Sequence, residues 1–128
     1  MRAAVGRRSR RRAGPAGTGA REQPKAPASS YPDANGNVLE LRGSLTATAR
    51  AEYAAVLEGG LDREDAWQRA TELLFERLAV SWTLSGVRLE RQRELLGRYR
   101  MASADERRFV RDALREHLAE HFPEMRAP

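Results

Sequence analysis

The sequence predicts a mainly α-helical domain: four helices packed together, preceded by a short β-hairpin or strand and by a disordered basic N-terminal tail. Three observations carry the prediction. A twenty-residue stretch from Arg63 to Trp82 places Trp67, Leu74, Leu78 and Trp82 on one helical face, with Ala70, Thr71 and Phe75 between them. Flanking segments repeat the same three-to-four-residue apolar spacing. The first thirty residues show no apolar periodicity at all.

Charge divides along the same boundary. The formal charge of the 128-residue chain is +5. Residues 1–30 hold eight basic side chains against the single acid Glu22, whereas residues 31–128 hold 15 basic and 17 acidic ones. The high isoelectric point therefore belongs to the tail, and the folding part has no net attraction for a polyanion. Two segments follow: residues 1–30 as an Arg-rich tail and residues 31–128 as a helical domain. Three readings fit the tail. It is a polybasic arm for nucleic acid or an anionic surface through Arg7, Arg8, Arg10, Arg11 and Arg12, a targeting peptide, or sequence upstream of the true start.

With no cysteine there is no disulfide framework, thiol nucleophile or thiolate metal site. No apolar run approaches the roughly 20 residues needed to cross a bilayer, so a soluble protein with no membrane partner is expected. A domain of about a hundred residues buries only roughly two-thirds of its unfolded surface, which makes self-association a natural supplement. Arginine outnumbers lysine 22 to 1, as in the GC-rich genomes of many bacteria and their phages.

Taken in order, order begins at Tyr31. Asn35-Gly36 favours a tight turn, and Val38, Glu40 and Arg42 alternate with Leu39 and Leu41 in the manner of a hairpin or strand laid on helices. A first helix is expected from Thr46 to Glu58, capped by Ser44 or Thr46 and closed by Gly59-Gly60. The central helix starts at an Asp62 N-cap, with Glu64 and Asp65 on the positive helix end and Leu61 positioned to staple onto Ala66. Ser85-Gly86 interrupts it. A third helix is expected from Leu89 to Arg100, with Leu89, Leu95, Leu96 and Tyr99 on a narrow stripe among five arginines counted from Arg88. Ser103-Ala104-Asp105-Glu106 reads as a capping box for a last helix that reaches His121 and stops at Pro123.

Candidate chemistry is sparse. His117 and His121, one turn apart, have a spacing that lets two imidazoles share a metal, but no third ligand is marked and helix-end histidines also suit the dipole. Glu64 with Asp65, and Asp105 with Glu106, lie in first helical turns where acids cap. No phosphate loop, nucleophile elbow or catalytic triad pattern is present, so no enzyme, cofactor or metal is expected. The arginines of the third helix and of Arg107 to Arg111 form either a phosphate-binding face or a surface neutralised by neighbouring Glu and Asp. Trp67, Phe75, Trp82 and Tyr99 exceed what one narrow helical seam needs, and they are the expected partner-binding residues.

The order of features, NVLELRG, then SLTATARAEY, then DAWQRATELLFERLAVSW, a Gly turn and two further helices, resembles the small tail assembly chaperones of long-tailed bacteriophages and actinobacterial prophages over residues 31–128. The resemblance implies a non-enzymatic protein in the cytoplasm of a bacterial host. It would bind the apolar, helical tape measure protein during tail morphogenesis, and longer frameshifted products accompany such proteins. Two alternatives stand beside it: a nucleic-acid-binding module and an oligomeric structural protein.

Overall fold

Helices and sheet share the molecule. The computed structural model describes residues 27–128, and the element order is β1 (Ser29–Pro32), β2 (Val38–Leu41), α1 (Ala47–Glu58), α2 (Arg63–Leu78), β3 (Ala79–Leu84), β4 (Val87–Leu89), α3 (Gln92–Arg100) and α4 (Ala104–His121). Two strands followed by two helices thus occur twice along the chain. The strands form one antiparallel sheet in the order β1-β2-β3-β4. The expected arginine tail falls largely outside the described residues.

This corrects the mainly α reading. The fold is α+β, and the second hairpin is built from residues assigned by periodicity to helix ends. The helix that was to continue to Trp82 stops at Leu78. From Ala79 the chain runs as AVSWTL, whose Val, Trp and Thr favour a pleated strand. Ser85 and Gly86 both take positive φ, at 50° and 80°, the signature of a two-residue turn whose twist matches its flanking strands. The step from Leu78 to Trp82 imitates a helical turn, but Trp82 reaches the core from a strand paired with Leu39. Leu89, expected to open the third helix, pairs with Trp82 on β4.

Other boundaries agree with local chemistry. Thr46 caps α1 by accepting from the Ala49 amide, and Asp62 caps α2 by accepting from Glu64 and Asp65. At α4 the Ser103 hydroxyl accepts from the Glu106 amide at 3.1 Å while Glu106 accepts from the Ser103 amide at 2.9 Å, completing the capping box. In the first turn Asp33 accepts from the Asn35 and Asn37 amides at 2.8 and 3.0 Å, and Gly36 supplies φ +83°. Asn37 then accepts from the Ser85 amide at 2.9 Å, which ties the tips of the two hairpins together.

The core lies between one sheet face and the helices. Register puts Tyr31, Leu39, Trp82 and Leu89 in one row across the sheet, and Leu39, Leu41 and Trp82 are wholly buried. Against them pack Leu74, Phe75 and Leu78 from α2, Leu95 and Tyr99 from α3, and Val110, Leu114 and Leu118 from α4. Phe75 meets Trp82 edge-on at 5.6 Å and stacks on Tyr99 at 4.9 Å. Among the described residues no helix is long and apolar enough to cross a membrane.

Gly86 is the test of the second hairpin. A Cβ there meets no atom within 4 Å, so Gly86→Ala should destabilise through backbone strain alone, by roughly 1–2 kcal/mol. Chemical denaturation would read the loss, and unchanged stability would show that the turn does not require a left-handed residue.

Candidate functional site

A wide hollow between α2 and α4 has a volume of about 1250 Å³. Its α2 wall is set by three-to-four-residue spacing, with Arg63, Trp67 and Thr71 on one side of the helix and Glu64, Gln68 and Glu72 beside them. Its α4 wall is Ala104, Arg107, Arg108, Arg111 and Arg115, again one helical face. Tyr99 lies at the base, and Ala127 and Pro128 stand at one end. Trp67 is half-buried: its ring packs against the core yet borders the hollow.

The local structure holds these side chains in place. The Thr71 hydroxyl donates to the Trp67 carbonyl at 2.7 Å. Arg107 donates to the Arg100 carbonyl at 2.7 Å, closing the C-terminal end of α3, and its guanidinium lies 5.4 Å from the centre of the Tyr99 ring. Burial pushes the Tyr99 hydroxyl pKa above its ordinary value, so it stays protonated. Arg115 Nε donates to the Pro128 oxygen at 2.8 Å and so holds the chain end against α4. The other flank of α4 is acidic. Asp112, Glu116 and Glu120, with Phe109, line a smaller hollow of about 440 Å³ beside β1.

The four aromatic residues expected to meet a partner separate in the structure. Phe75 and Trp82 are wholly buried and Tyr99 is 7% exposed. A partner would have to open the core to reach Phe75 or Trp82. Trp67, with an edge of Tyr99, is what remains at the surface. The basic run read from the sequence takes in only Arg107 to Arg111 and leaves out Arg115. The four-residue recurrence of Arg107, Arg111 and Arg115 is the signal that marks one continuous row. The arginines of α3 behave differently: Arg98 makes a two-point pair with Glu106 at 2.7 and 3.1 Å, and Arg100 pairs with Glu72 at 2.9 Å.

The histidine pair serves the interior. His117 is fully buried, and its Nε2 lies 2.8 Å from the Arg42 carbonyl, which can only accept. Nε2 therefore carries the proton, and Nδ1 accepts from the Tyr31 hydroxyl at 2.8 Å. Both ring nitrogens are engaged, so neither offers a lone pair to a metal. His121 packs 4.4 Å from His117 and pairs with the Ser29 hydroxyl at 3.2 Å. No group of three metal-ligating side chains gathers among the described residues.

Desolvation lowers the His117 pKa, with the neighbouring His121 adding to the effect and the Arg42 carbonyl and Glu120 opposing it. Below about pH 6.5 an unfolded chain takes up a proton at this position that the native state resists. Stability from His117 is thus complete above that pH and declines as pH falls towards the lowered native value. Melting temperature should drop between about pH 7 and pH 5, less steeply in His117→Gln. Equal slopes would show that His117 titrates alike in both states. Tyr31→Phe, which strands Nδ1, should cost roughly 1–3 kcal/mol at neutral pH.

No protein-family model, curated protein or solved structure matches this chain.

Proposed function

We propose that this protein is a non-enzymatic chaperone of the phage tail-assembly kind, which holds the helical tape measure protein in the hollow between α2 and α4. One observation carries the reading: a groove of about 1250 Å³ formed by two helices, with a half-buried tryptophan on its wall and a tyrosine at its base. A groove of this type accepts an amphipathic helix, whose apolar residues at three-to-four-residue spacing lodge against the aromatic surface. The volume exceeds that of ordinary small-molecule pockets, and the lining is one of contact surfaces rather than a converged nucleophile and base.

A second reading has its own support. The arginines of α4, together with Arg7, Arg8, Arg10, Arg11 and Arg12 in the N-terminal sequence, suit phosphate groups, and binding through them would weaken steeply with salt. The oligomeric structural alternative has no comparable feature, and self-association would accompany either reading.

Co-expression with a tape measure fragment separates these readings. Trp67→Ser changes a half-buried side chain while leaving Phe75, Trp82 and Tyr99 in the core. The variant should keep the native circular dichroism spectrum and lose most of its ability to keep the fragment soluble. A folded Trp67→Ser protein that protects the fragment as well as the parent does would overturn the groove reading. Salt-sensitive binding of an oligonucleotide without protection of the fragment would favour the nucleic-acid one.

A further inference from the structure

On the α2 wall of the groove, Asp62 accepts from the amides that begin its own helix and Glu72 pairs with Arg100, whereas Arg63, Glu64 and Arg69 enter no ion pair among the described residues. Elsewhere in the described residues Arg50, Arg77, Arg88, Arg98 and Arg100 each meet a glutamate. The α4 row lacks such pairs, as do Arg63 and Arg69 on the facing helix, but on α4 the unpaired arginines recur along one face. Arg107 and Arg115 donate to main-chain oxygens, and neither they nor Arg111 enters an ion pair with an Asp or Glu side chain of the described residues. Arg108 has one exposed contact, with Asp105 at 3.3 Å, of a kind worth little in water. Arg107, Arg111 and Arg115 stand about 6 Å apart along the helix, the same rise that separates every fourth residue of a helix laid alongside.

Resting on the groove reading above, we infer that the occupant is an acidic amphipathic helix. Its carboxylates recur every three or four residues to meet Arg107, Arg111 and Arg115, and an apolar side chain beside them packs on Trp67. Guanidinium groups grip carboxylates through two parallel hydrogen bonds, which fixes register as well as attraction. Other occupants fit less well. The chain's own N-terminal sequence is strongly basic and is repelled by the row. A phosphate backbone could meet the α4 row but offers no apolar side chain to pack on Trp67. A helix acidic on one side and apolar beside it meets both.

The experiment uses the full chain and synthetic helical peptides of about five turns. One peptide carries a glutamate stripe beside a leucine stripe, a second replaces the glutamates with lysines, a third with glutamines, and an oligothymidylate serves as the phosphate probe. Binding is read from fluorescence anisotropy of each labelled probe. The glutamate peptide should bind best, with affinity falling as salt rises. The exposed double variant Arg111→Glu, Arg115→Glu should bind it roughly tenfold more weakly or worse and prefer the lysine peptide.

Equal binding of all three peptides by parent and variant, lost in Trp67→Ser, would overturn the acidic-partner inference and leave the groove standing. Binding of every peptide unaffected by Trp67→Ser would remove the groove and the inference together. Tighter binding of oligothymidylate than of the glutamate peptide, reversed by the arginine variant, would replace the acidic helix with nucleic acid.

Discussion

The pairing of β2 with β3 is the constraint on which the other packing depends. These strands belong to different halves of the chain, with the α1–α2 hairpin between them, and their register sets Leu39 against Trp82 at the centre of the sheet. A slip of one residue would turn Leu39 and Leu41 out of the core and bring Val38 and Glu40 in. Several contacts pin that register. Glu40 accepts from the Ser81 hydroxyl at 2.7 Å and pairs with Arg88 at 3.1 Å. Asn37 joins the turn tips, and the Arg42 amide donates to the Leu78 carbonyl at 2.8 Å where α2 gives way to β3. Once the sheet is set, α2 and α4 cover it from fixed positions, and the groove between them is a by-product of that placement.

The buried polar network makes the same point in the interior. His117 joins α4 to both β1 and the end of β2 through two hydrogen bonds of 2.8 Å. A leucine there would satisfy burial but would take from the Arg42 carbonyl its donor and from the Tyr31 hydroxyl its acceptor, a cost of the same order as the bonds themselves. The neutral imidazole, one nitrogen donating and the other accepting, suits a carbonyl on one side and a hydroxyl on the other. Trp82 is less well served. Its indole N–H is buried with no partner among the described residues, while the Arg98 guanidinium sits 5.6 Å above its ring.

The starts of α1, α2 and α4 were legible in the sequence because they are local. Thr46, Asp62 and Ser103 each hold a polar side chain within reach of amides two or three residues ahead, and no distant contact is needed to identify them. The first hairpin was legible for the same reason, through Asn35-Gly36. The second was hidden by an accident of spacing: Trp82 lies four residues after Leu78, so a strand residue imitated the next helical turn. Whether AVSWTL becomes helix or strand is decided by β2, forty residues earlier in the chain, and tertiary pairing overrides local periodicity. Aromatic excess pointed to a binding surface, yet in the core Trp82 meets Phe75 edge-on and Tyr99 stacks on it. The arginine row was obscured because charges were counted over the whole folding part, where −2 hides their separation onto different faces.

That separation gives α4 a property independent of any single contact. One flank carries Arg107, Arg111 and Arg115, the other Asp112, Glu116 and Glu120, so the helix is electrically polarised across its width as well as along its axis. In dilute buffer such a transverse dipole exerts a torque on an approaching charged body before surfaces meet, over a range of roughly 10 Å at moderate ionic strength. Two molecules with modest net charge would rotate into alignment first and touch second. Encounter orientation is then governed by how charge is distributed around one helix, and the overall isoelectric point says little about it.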